Sequence, residues 1–89
     1  MATVFIPRRL QPLSGGRRQV CVEGATVRQV IEALEAECPG IKARLYDAEH
    51  DALARGMAVT VDGVTGELGL LEKVGPESEV HFLPAIAGG

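Results

Sequence analysis

Aromatic residues, histidine and cysteine are all scarce in this 89-residue chain, and each scarcity excludes a class of function. Aromatics make up 3% of the sequence, too few to interleave with basic residues as stacking platforms for single-stranded nucleic acid. Of the two histidines, His50 lies in an acidic segment and His81 falls out of phase with the apolar positions around it. Neither has the partner spacing of a metal site or a catalytic triad, so both are expected in solvent. Asp47, Glu49 and Asp51 alternate, but without the glycine and closing glutamate of a calcium loop. Gly15-Gly16 is not followed by the Lys-Ser/Thr of a phosphate-binding loop. No metal site and no catalytic residue of the chain's own is expected.

Long apolar runs are missing too. No stretch approaches the roughly 20 residues of a membrane span, and Met1-Ala2-Thr3-Val4 lacks the basic start of a secretion signal. A cytoplasmic protein without membrane contact is expected. In that setting Cys21 and Cys38 stay reduced, Cys38 as a small core residue continuing a helix stripe and Cys21 on a strand, opposite in phase to Val20 and Val22. The length allows one domain with one modest core and no separate catalytic lobe.

The net charge of −3 conceals an asymmetry. Residues 1–22 carry Arg8, Arg9, Arg17 and Arg18 and no acid, whereas residues 23–89 hold five bases against twelve acids. The basic end suits steering of an acidic partner, while an acidic whole disfavours nucleic acid.

Period-two alternation predicts paired strands at Thr3–Pro7 and Gln19–Glu23, joined by a long irregular loop over Arg8–Arg18 because Pro12, Gly15 and Gly16 interrupt regular structure. Thr26 followed by Gln29 matches a capping box. Val27, Val30, Ile31, Leu34 and Cys38 then recur at helical spacing until Pro39-Gly40 ends the run. Ile41, Leu45 and Leu53 anchor either a short second helix or a loop packed around Tyr46. Met57–Asp62 reads as a strand with Val59 and Val61 inward, closed by the hairpin dipeptide Asp62-Gly63. Leu68, Leu70, Leu71 and Val74 make a short apolar connection, and Glu79–Leu83 is the final strand with Val80 and Phe82 toward the core. This order predicts an α+β domain over 1–89, with one main helix on a mixed sheet of four to five strands and a flexible tail over 84–89. Its second sheet face is left for a partner or for solvent.

The sequence closes on Gly88-Gly89, reached through Leu83-Pro84-Ala85-Ile86-Ala87. Two glycines without Cβ atoms thread a narrow channel readily. The group they present is the Gly89 carboxylate, inert until it is activated, for instance as an acyl-adenylate made with ATP. A sulfide or an amine then displaces AMP.

With the opening strand Val4-Phe5-Ile6-Pro7, the helix start Gly24-Ala25-Thr26-Val27 and the strand and turn Val59-Thr60-Val61-Asp62-Gly63, this ending resembles the ubiquitin-like, β-grasp sulfur carriers. That family includes the molybdopterin synthase small subunit and the thiamine-pathway carrier. The similarity spans the chain, and the proline, small residues and diglycine of the ending are most like carriers that serve cysteine biosynthesis. The resemblance implies a β-grasp carrier that is not itself an enzyme and binds no cofactor. A separate adenylating enzyme using ATP would activate Gly89, a sulfur donor would convert it to a thiocarboxylate, and a downstream sulfur-accepting synthase would empty it. Pro84, Ile86, Ala87 and Gly88 would be read as the tail.

Phe5 and Leu83 point by alternation away from the helix and either form a docking patch or pack under the loops at 8–18 and 64–74. Two other readings share the same residues. In one, Gly89 is joined to lysines of target proteins; in the other, the domain is a non-covalent interaction module.

Overall fold

A computed structural model describes residues 1–85 of the chain. The apolar stripe and its start signal form α1, Val27–Glu37, as expected. Thr26 Oγ1 accepts the Gln29 N–H at 3.3 Å, and Gln29 Oε1 reaches back to the Ala25 N–H at 2.8 Å, one residue before the cap. Val27, Val30, Ile31 and Leu34 are fully buried, each contributing about 1.5–3 kcal/mol against about 1 kcal/mol for the cap. Packing therefore holds the helix, and the cap decides where it begins. Gly24 is needed just upstream because a Cβ there would lie 2.8 Å from the Val30 backbone nitrogen.

Strands β1 (Ala2–Phe5) and β2 (Gln19–Val22) pair antiparallel. The next segments in the chain order are α2 (Lys42–Leu45), a small hairpin of β3 (Tyr46–Asp47) and β4 (Ala52–Leu53), then β5 (Met57–Val61) and β6 (Glu79–Pro84). β6 runs parallel to β1 and antiparallel to β5, so the main sheet has the order β2-β1-β6-β5. One face, with Val4, Val20, Val22, Val59, Val80 and Phe82, is buried with the α1 stripe, and Ile41 and Leu45 of the α2 region complete the core.

Two expectations are corrected, and the alternatives left open at 41–54 are resolved. Residues 8–14 are not irregular: Arg8–Ser14 winds into a 3-10 helix around Pro12. Burial of Leu10 draws it in, the Leu10 N–H bonds the Pro7 carbonyl at 2.8 Å, and Gly15 and Gly16 close it at φ 69° and 85°. The stretch 41–54 holds both a short helix and the β3–β4 hairpin, whose turn is tied by Asp47, acceptor of the Glu49 and His50 N–H groups at 3.0 and 3.2 Å.

The other correction concerns the start of the tail. Pro84 is the last residue of β6, opposite Met57, and the Ala85 N–H still donates to the Gly56 carbonyl at 2.8 Å. Proline fits at this strand end, where it breaks no interior ladder. The expected tail residues Ile86, Ala87, Gly88 and Gly89 lie outside the described residues.

The turn at Asp62-Gly63 is a tight hairpin with φ of 52° and 81°, the pair of positive angles that a type I′ turn demands. Val61 and Val64 exchange backbone bonds across it. Beyond it a 3-10 turn at Gly69–Leu71 buries Leu70, and the Val74 N–H returns to the Ala25 carbonyl at 2.9 Å, clasping the start of α1. No helix among the described residues is long and apolar enough to cross a membrane.

Candidate functional site

Strand alternation that buries Val4, Val80 and Phe82 turns Phe5, His81 and Leu83 to the uncovered face of the sheet. The parallel register sets Phe5 beside His81, and the two rings stack with centroids 4.0 Å apart and planes 4° from parallel. Leu83, 37% exposed, follows on the same strand opposite Ala58, and Thr60 lies opposite His81. Phe5 and Leu83 thus share one face, joined by His81, which is half-buried in the stack, a correction to its expected place in open solvent. Its parity with Leu83, two residues apart, was the signal available; its partnership with Phe5 needed the β1–β6 pairing.

Cys21 is exposed on this face, its Sγ 3.8 Å from Thr3 Oγ1, while Cys38 is buried at the end of α1; both thiols are free. Pro84 lies at the end of this sheet, two residues before the first of the undescribed ones.

The carboxylates whose acidity is shifted all serve as structural ties. Asp51 receives both terminal nitrogens of Arg28 at 2.7 and 3.0 Å and the Tyr46 hydroxyl at 2.6 Å, which together hold its carboxyl at about 2. Glu35 accepts the Gly40 and Lys42 N–H groups, and these bonds lower its pKa. Asp62 is lowered by the Glu79 N–H and the Ser78 hydroxyl, and Asp47 by the His50 ring. A carboxylate kept ionised by fixed donors is a poor proton shuttle near neutral pH. His50 is the exposed partner of Asp47, at 2.7 Å. Among the described residues no cluster of His, Cys, Asp and Glu gathers to hold a metal ion.

The ThiS family model matches residues 4–89, from the first strand through the diglycine. The chain belongs to the ThiS family of ubiquitin-like sulfur carriers. Within that family it is similar to the sulfur carrier protein CysO of Mycobacterium tuberculosis, 38% identical over 90 residues that make up 98% of this chain and 97% of that protein. A chain of the Amycolatopsis orientalis BexX/CysO complex superimposes with a TM-score of 0.89 at 37% identity, covering all of both chains. Small archaeal modifier protein 1 from Haloferax volcanii, 24% identical, shares the fold with a TM-score of 0.73 over 99% of this chain and 98% of that one. The β-grasp architecture of this ThiS-family chain is the one the resemblance implied, and its mixed sheet on one main helix is the one the residue pattern predicted.

Proposed function

We propose that this chain is a sulfur carrier that serves cysteine biosynthesis or a related sulfur-requiring pathway in the cytoplasm, and that it is a substrate of enzymes and not an enzyme itself. The observation that carries the reading is the family match running through Gly89, together with near full-length similarity to a protein named as a sulfur carrier. A partner enzyme transfers AMP from ATP to the Gly89 carboxylate, releasing pyrophosphate. A sulfur donor then attacks the acyl carbon; the C–S bond forms, the C–O bond to AMP breaks, and a thiocarboxylate remains for a downstream synthase.

The residues suit this cycle physically. From Ala85 to Gly89 an extended chain reaches about 17 Å, enough to enter a closed site while the domain stays outside. Gly88 and Ala87 keep that path narrow, and Ile86 supplies an apolar grip. Pro84 limits the backbone freedom at the root. Phe5 and Leu83, with His81 between them, form the docking face.

Intact-mass measurement after incubation with the adenylating enzyme, ATP and sulfide tests the proposal. One oxygen-for-sulfur exchange is expected. Higher-mass conjugates to lysine-bearing proteins would favour a modifier, and an unchanged mass would leave only a non-covalent module.

A further inference from the structure

Pro84 also lines a second feature, a cleft between the first 3-10 helix, α2, the turn before β5 and the end of β6. Arg9, Arg44 and Arg55 stand around it, and Leu10, Met57 and Pro84 supply apolar surface. The three arginines are exposed and come from separate segments. Of the other six basic side chains, three are matched with acids, Arg17 with Glu37, Arg28 with Asp51 and Lys42 with Glu32, and Arg8, Arg18 and Lys73 make no such pair among the described residues. Among the described residues, none of the three cleft arginines pairs with a carboxylate. In a chain of net charge −3, this is a local reversal of sign next to the strand end that leads to Gly89.

We infer that this cleft receives an acidic segment of the adenylating enzyme, with Asp or Glu carboxylates against Arg9, Arg44 and Arg55 and apolar side chains over Leu10, Met57 and Pro84. The inference rests on the sulfur-carrier reading, which requires such an enzyme to hold the chain beside its tail. Charge complementarity selects the occupant: guanidinium groups bind carboxylates through paired N–H donors, and an apolar floor favours a polypeptide over a small anion. A nucleic-acid strand is the poorer fit, because among the described residues no aromatic ring lines the cleft, and the domain as a whole is acidic. A cationic site of this kind speeds encounter and fixes orientation more than it changes chemistry.

The test is ATP–pyrophosphate exchange by the organism's own adenylating enzyme, with the carrier varied as substrate and salt raised stepwise. In the triple variant Arg9→Glu, Arg44→Glu, Arg55→Glu, KM is expected to rise by about tenfold or more at low salt while kcat stays near wild type. The salt dependence seen in wild type should flatten, and the corresponding triple lysine variant should recover most of the affinity. NMR spectra report whether the fold survives; if the triple variant unfolds, the three single glutamate variants carry the same test. An unchanged KM alongside normal wild-type exchange would overturn the cleft assignment alone. So would a charge-reversal defect confined to binding a single-stranded RNA oligonucleotide. Absence of any exchange with wild type would overturn the sulfur-carrier reading and this inference with it.

Discussion

The two faces of the main sheet are built from neighbouring residues of the same strands, yet they are different surfaces. The face toward α1 is closed by aliphatic side chains and Phe82, all buried. The opposite face mixes the Phe5–His81 stack with Leu83, Thr60, Ala58 and Cys21, and its side chains remain partly or fully exposed. Strand alternation thus separates the two surfaces at single-residue resolution, one side chain buried for stability and the next left for solvent or a partner. Adjacent substitutions should therefore have unlike consequences.

The largest contrast is expected between Phe82 and Leu83. Phe82→Ala empties a buried position and should cost about 3–5 kcal/mol in urea unfolding, whereas Leu83→Ala should stay within about 0.5 kcal/mol of wild type. Equal losses would show that the outer face is packed like the inner one. A smaller effect, and of a different kind, is expected for Phe5→Glu. It places a charge in the patch and removes the stack on His81, so binding to the adenylating enzyme should weaken by about tenfold, as for truncation of an interface anchor worth more than 1 kcal/mol. Circular dichroism should show the fold retained; aggregation of this variant would place Phe5 in the core.

The smallest effect concerns the ties that fasten the β3–β4 hairpin to α1. Asp51 is held by Arg28 and then Tyr46 at about 2, below its ordinary 3.8, so the stability it contributes is present above the ordinary value and is lost as pH falls toward about 2. Urea midpoints should drop across that acid window in wild type, and Asp51→Asn should start lower and fall less steeply. Parallel acid curves for the two proteins would remove this carboxylate from the stabilising ties.

Much of this division was readable beforehand because it follows from short-range periodicity. The stripe from Val27 to Leu34, the Thr26–Gln29 cap and the alternation of Val80 and Phe82 with His81 and Leu83 are local patterns with one physical solution. The β3–β4 hairpin was not readable, since each strand has two residues and is secured by Arg28, remote in sequence. The 3-10 helix at Arg8–Ser14 was hidden by Pro12 and glycine signals that burial of Leu10 outweighs. The same holds for the site: the alternation that exposes Phe5 and Leu83 was visible, whereas their link through His81 depends on pairing the first strand with the last. Charge counting located a basic end but not its use. Of its four arginines, Arg17 is matched with Glu37, and Arg9 joins Arg44 and Arg55 only through the fold.

Tandem mass spectrometry of the sulfur-loaded chain locates the transferred atom and so tests the central claim most directly. Sulfur is expected in the carboxyl group of Gly89, stable to thiol reductants, with no loading of a chain that lacks Gly89. With a persulfide as the sulfur donor, sulfur found instead on the exposed Cys21, as a persulfide formed by thiol exchange with that donor and removed by a thiol reductant, would contradict that claim.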